Sequence, residues 1–251
     1  MRSAVCVAAV VAGCLGAAAG SALAADSGKV PAYIQSAVDD SARPEADRER
    51  DANRKPAQVL AFAGIKPGQK VGELLPGGGY YTRLLCRVVG DSGQVYAISL
   101  KMTRTFNRPP PPTDGHPCTN VTASTLSADS LTLPSDLDVV WTSENYHDLH
   151  NDLFGKPDMK AFDTAVFNAL KPGGEYIIED HMAEAGSGAR DTDTLHRIDP
   201  ALVKQEVTSA GFKYVGESHV LHNAEDKHTD KVFALKGKSD KFLLKFRKPR
   251  G

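Results

Sequence analysis

The sequence predicts an α/β protein: a mainly parallel sheet covered by helices on both faces and closed by a hairpin at the carboxyl end. Three observations lead there. An apolar run, Val71-Gly72-Glu73-Leu74-Leu75, breaks into Pro76-Gly77-Gly78-Gly79 and resumes with helical spacing through Leu84, Leu85, Val88 and Val89. Extended and helical runs then alternate along the rest of the chain, the pattern of parallel strands with helical crossovers. One extended run, Asp136 to Thr142, is apolar enough to be buried on both faces.

The chain has 251 residues, is 24% charged and 41% hydrophobic, and has a formal net charge of −1. That composition suits one sizeable globular core, and its charge gives no reason to expect nucleic acid as a partner. Residues 1–24 read as a signal peptide: Met1-Arg2 is followed by a run rich in Ala, Val and Gly, and Ala22-Leu23-Ala24 offers small residues for cleavage. The expected location is therefore exported and periplasmic. Val11-Ala12-Gly13-Cys14 also has the form of a lipid-attachment box, which would make the product a lipoprotein. Of the remaining cysteines, Cys86 and Cys118 could pair in an oxidising compartment, although two separate thiols are the expectation.

Taken in order, residues 25–55 form an N-terminal helical extension. Ile34, Ala37 and Val38 share a helical face, and the charged run Arg43 to Asp51 reads as a solvated helix side. The main domain is placed at 56–236. Lys55-Pro56 opens a helix through Val59, Leu60 and Phe62 that Gly64 ends. After the glycine turn, Gln94 to Ser99 is a second strand, Arg108 to Gly115 a proline-rich surface loop, and Asn120 to Thr125 a short third strand. A helix begins near Pro157 with an apolar stripe from Met159 to Leu170, and Lys171-Pro172-Gly173-Gly174 stops it before Glu175 to Glu179 extends. Asp199-Pro200 caps a further helix closed by Gly211, and the final hairpin is assigned to Phe212–Leu221 and Lys231–Leu235. Residues 237–251 are left as a basic C-terminal tail that packs on the domain or touches an anionic membrane surface.

Four segments carry a family resemblance: Glu73 to Thr82, Val95 to Ser99, Asp138-Val139-Val140-Trp141 with Asn145-Tyr146-His147-Asp148-Leu149-His150, and Leu170-Lys171-Pro172-Gly173-Gly174. On these, the region from Pro56 to Leu235 resembles the class I S-adenosylmethionine-dependent methyltransferases. More narrowly it is similar to an exported bacterial branch described as predicted methyltransferases. The resemblance implies a Rossmann-like methyltransferase fold with a seven-stranded sheet, and S-adenosylmethionine as cofactor. It places Glu73, Pro76, Gly77, Gly78, Gly79, Tyr80, Tyr81, Thr82 and Ser99 around that donor. Two positions depart from the family pattern. Leu75 stands where a glycine is usual, which implies a different turn shape on that side. Ser99 stands where an acid usually holds the ribose hydroxyls, a loss of about 1–3 kcal/mol if uncompensated.

The polar clusters follow the fourth and fifth strands, at the edge where open α/β sheets bind ligands. A sulfonium donor is already a strong electrophile, so the protein must align the partners, exclude water and take the acceptor's proton. His147 or His181 is the candidate base, Asp148 or Asp180 the group that orients it, and Asn145 and Tyr146 line the pocket at the methyl group. The expected acceptor is a small molecule. A metal reading uses His147, His150, Asp180 and His181, but no cysteine pair supports it and no metal is assigned. The competing functional reading is a catalytically silent periplasmic small-molecule or metal-binding module on the same fold.

Overall fold

The computed structural model describes Met1, residues 29–103 and residues 118–251. Residues 2–28, which hold most of the expected signal peptide and Cys14, and the expected proline-rich loop at 108–115 lie outside the described residues. Among the described residues seven strands make one sheet: β1 (Lys70–Leu74), β2 (Gln94–Leu100), β3 (Val121–Leu126), β4 (Leu137–Ser143), β5 (Leu170–His181), β6 (Lys213–Ser218) and β7 (Lys241–Arg247). Their spatial order is β3-β2-β1-β4-β5-β7-β6. Strands β1 to β5 pair in parallel, and β7 is antiparallel to both β5 and β6.

The covering helices start and stop where local chemistry dictates. Helices α1 (Ala32–Val38), α2 (Glu45–Arg48), α3 (Asp51–Arg54) and α4 (Pro56–Ala63) precede the sheet. Pro56 occupies the first position of α4, and Gly64, at φ +72°, ends it in the left-handed conformation. Helix α5 (Tyr80–Val89) follows the glycine turn. Helices α6 (Met159–Ala169) and α7 (Pro200–Ser209) are capped by the Asp158 and Asp199 carboxylates, which accept from the amides of Ala161 and Ala201. The sheet buries both faces. Val71, Val95, Trp141 and Ile177 pack with α1, α4 and α5; Leu74, Ile98, Val140 and Ile178 pack with α6 and α7. The chain adds β2 and β3 on one side of β1, then returns to place β4 on the other. Connections leaving the carboxyl ends of β1 and β4 therefore diverge, and a crevice opens between them.

Three expectations are corrected. The last strand is Lys241–Arg247, inside the region expected to be a tail, whereas Val232–Leu235 is a single 3₁₀ turn. Phe242, Leu243, Leu244 and Phe246 are at most 3% exposed, so they are not available to a membrane surface. The basic residues tolerate this position because carboxylates meet them: Lys241 lies 3.6 Å from Glu144 and Lys245 3.5 Å from Glu175. The charged run is also not simply solvated, since Arg43 and Asp47 are buried and pair with Asp51 and Arg83. Finally, Cys86 and Cys118 form a disulfide, with Cα atoms 6.1 Å apart. The Asn120 amide donates to the carbonyls of Cys86 and Gly90, holding the approach to β3 against the end of α5 and so bringing the two sulfurs together.

Candidate functional site

The crevice at β1 and β4 holds a cavity of ≈130 Å³. Glu73, Leu75, Pro76, Gly77 and Gly78 line one wall, Tyr80 and Tyr81 a second, and Ser143, Glu144 and Asn145 the third. A Cβ built on Gly77 or Gly78 would meet no atom within 4 Å. Gly77 needs its glycine for a φ of +55°, but Gly78 has no positive φ. At Gly78 neither backbone nor packing demands glycine, so what its missing side chain supplies is room and an approachable backbone in the cavity wall. Leu75 takes φ +55°, which costs a leucine about 1 kcal/mol, and its amide donates to Ile98. The chain thus makes this bend with a leucine in the conformation a glycine adopts freely.

The donor residues expected from sequence separate into two groups. Glu73, Pro76, Gly77, Gly78, Tyr80 and Tyr81 line the cavity; Gly79, Thr82 and Ser99 do not. Gly79 is the cap of α5 at φ +78°. Thr82 is buried beneath the turn and donates its hydroxyl to Glu73 at 2.6 Å. Ser99 sits in β2 opposite Thr125. Burial pushes the Glu73 carboxyl up to about 7, against the pull of the Thr82 hydrogen bond and Arg83. Tyr81 borders the cavity, and its hydroxyl is buried with no hydrogen-bond partner among the described residues.

The N-terminal helices close over this crevice. Tyr80 donates its hydroxyl to Asp51 at 2.6 Å, Arg83 holds Asp47 through two bonds, and Arg54 bonds the Glu144 carboxylate. Arg54 also lies 4.8 Å over the Tyr80 ring and 5.7 Å over that of Tyr81. Arg50 and Arg54 were not expected from sequence. Their spacing of four residues within a charged segment was the available signal, because it sets both on one helical face.

A second cavity, of ≈380 Å³, adjoins the first and shares Arg50, Arg54 and Glu144 with it. His181, Phe233 and Ser239 line its far side. The Arg54–Glu144 ion pair therefore stands between the two spaces. Burial alone would raise the Glu144 carboxyl, but Arg54, then His181 and Lys241, hold it below its ordinary range. Glu179 beneath it is pushed up by burial and by Glu144, and takes a hydrogen bond from Ser143 at 2.9 Å. His181 Nδ1 lies 2.8 Å from the Ser239 hydroxyl, and burial lowers its pKa to about 4, so the ring is neutral above that.

The remaining predicted residues gather behind His181. The His147 ring centroid is 5.9 Å from that of His181, and His147 Nδ1 lies 2.8 Å from the buried Asp180 carboxylate. Burial alone would lower His147, but the charge and hydrogen bond of Asp180, with the charges of Asp148 and Glu144, raise the ring above its ordinary value. Asp148 and His196 meet His147 on its other nitrogen. Asn145 does border the first cavity, its amide donating to Leu75 at 3.0 Å. Tyr146 does not: it is fully buried in the core, with its hydroxyl on Asp163 at 2.9 Å. The metal set drawn from sequence is not assembled either, because His150 turns to Glu206 and His181 to Ser239. The 3₁₀ turn Tyr146–His150 buries Tyr146, His147 and Leu149 and leaves Asp148 and His150 half-buried.

No protein-family model matches the sequence, and no curated protein matches it. Solved structures do resemble it. A SAM-dependent methyltransferase from Aquifex aeolicus is 18% identical with a TM-score of 0.55, covering 82% of this chain and 98% of its own. An S-adenosylmethionine-dependent methyltransferase from Mesorhizobium loti is 15% identical with a TM-score of 0.54, covering 79% of this chain and 100% of its own. The [4+2]-cyclase SpnF is 15% identical with a TM-score of 0.51, covering 85% and 86%. A cyclase among these neighbours means that the fold alone does not fix the reaction. What the likeness shows is the architecture: this chain has the Rossmann-like fold of the class I S-adenosylmethionine-dependent methyltransferases.

Proposed function

We propose that this protein transfers the methyl group of S-adenosylmethionine to a small acceptor. The donor lies against the Gly77-Gly78 wall, the acceptor enters the adjoining cavity, and His181 takes the acceptor's proton. The observation that supports this best is Gly78, which lines the cavity with open space where a Cβ would stand and no positive φ to demand glycine. A cavity of ≈130 Å³ is below the ~300–1,000 Å³ of ordinary small-molecule sites, so the donor must part Arg54 from Glu144 and join the two spaces. The methyl group then faces the acceptor across the position the ion pair vacates. Arg50, which borders both spaces and has no ion-pair partner among the described residues, is placed to hold the donor's carboxylate. Glu73 meets its ammonium group or ribose hydroxyls. Among the histidines, His181 is preferred as base because it borders the acceptor space while His147 is enclosed.

The Gly78→Val variant tests the donor site. Gly78 has no positive φ and a Cβ there meets no atom within 4 Å, so the fold and Tm should be retained. Calorimetry with S-adenosylhomocysteine should show one site in the wild type and at least about tenfold weaker binding in the variant. Absence of binding to wild type at millimolar ligand refutes the reading. Given turnover, His181→Ala should slow transfer without weakening donor binding; an unchanged rate removes the base assignment. We further infer that the protein works after export with residues 1–24 removed. The Cys86–Cys118 disulfide supports an oxidising compartment, and mass spectrometry of the mature amino terminus checks it.

A further inference from the structure

We propose that His147, Asp148 and His196 bind one divalent ion of the zinc class, with an open coordination position. His147 Nε2 lies 3.4 Å from His196 Nδ1 and 3.4 Å from Asp148 Oδ1, and the latter two atoms are 3.8 Å apart. Three donors bound to zinc at 2.0–2.1 Å at tetrahedral angles are separated by about 3.3–3.4 Å. The three atoms therefore already stand near the corners of one face of such a site, and small movements of Asp148 and His196 complete it.

The supporting contacts are those of a ligand set. The Asp180 carboxylate is fully buried, accepts from the His147 and His181 amides, and takes His147 Nδ1 at 2.8 Å. That leaves the His147 Nε2 lone pair directed into the triangle, as in carboxylate–histidine–metal arrangements. Asp148 is steadied in turn by the Asn151 amide at 3.0 Å. His196 has φ +57°, a strained conformation for a histidine, and its ring is held edge-on by Phe233 at 4.7 Å.

Two imidazoles and one carboxylate favour zinc or a similar first-row ion over magnesium or calcium, which take oxygen ligands. The side chain of His196 is 29% exposed and that of Asp148 16%, whereas His147 is enclosed, so the fourth position faces water. An open position marks a site that handles a ligand and not a purely structural one. The proposal does not depend on methyl transfer.

The test uses the full chain without a histidine tag, stripped with chelator and titrated with zinc by calorimetry and with cobalt(II) by visible absorption. The expected result is one equivalent of zinc at micromolar or tighter affinity, and cobalt bands of four-coordinate intensity. His196→Ala should weaken binding at least tenfold. Asp148→Asn, which keeps the side-chain shape, should do the same and guards against a fold defect in the first variant. His222→Ala is the control, because His222 and His228 share Asp240 as a competing imidazole–carboxylate group. No zinc binding by wild type overturns the proposal. So does a loss that follows His222→Ala while His196→Ala and Asp148→Asn bind normally.

Discussion

Glu73 should make the protein less stable as pH rises through neutrality, and by an amount that one substitution can isolate. Its side chain is 2% exposed, and burial raises its pKa from 4.5 to about 7. Below about 4.5 both folded and unfolded chains are protonated there, and the group is neutral to stability. Between about 4.5 and about 7 the folded chain keeps the proton that the unfolded chain has lost, so stability falls as pH rises. A gap of roughly 2.5 units corresponds to about 3 kcal/mol, fully lost above pH 7. Glu73→Gln removes the titration while keeping an oxygen to accept from Thr82. Urea unfolding at pH 4.5, 6 and 8 should show the variant gaining on wild type by about 3 kcal/mol across that range. Glu179 and Asp163, both pushed up by burial, titrate in both proteins and cancel from the difference. A difference that stays constant with pH would refute the reasoning. Saturating S-adenosylhomocysteine should flatten the wild-type dependence if its ammonium group lies on the Glu73 carboxylate.

Two further outcomes concern stability alone. The Cys86–Cys118 bond closes a separation of 32 residues, so Cys118→Ser should cost about 4 kcal/mol in the chain-entropy account, matching reduced wild type in urea. Equal midpoints for the variant and the oxidised protein would contradict that. Leu244→Ala, at a fully buried position of β7, should cost about 2–5 kcal/mol, whereas a dispensable tail would show no change in midpoint.

The parts of the fold legible in sequence are those where one physical signal acted alone. The apolar runs of β1, β2 and β4, the proline and glycine at the ends of α4, and the aspartate cap of α7 all appear where their chemistry places them. β7 was obscured because lysines at 241 and 245 made a buried strand look like a solvated tail, and only the positions of Glu144 and Glu175 explain why they are tolerated. The run from Arg43 to Asp51 misled for the same reason, its partners Arg83 and Tyr80 lying beyond the next helix. At the site, the glycine turn was readable as a motif, but the sorting of the histidines was not. Which ring meets Asp180, Glu206 or Ser239 depends on the 3₁₀ turn at Tyr146–His150 and on connections from three strands.

The position of β7 also bears on how the chain is made. Among the described residues β6, at residues 213–218, pairs only with β7, at 241–247, which lies between it and β5. During synthesis β6 is produced first and has no neighbour to join until β7 emerges. For that interval both β5 and β6 present open edges, the condition that invites adhesion between nascent chains. Chains stopped between Ser218 and Lys241 would keep both edges open.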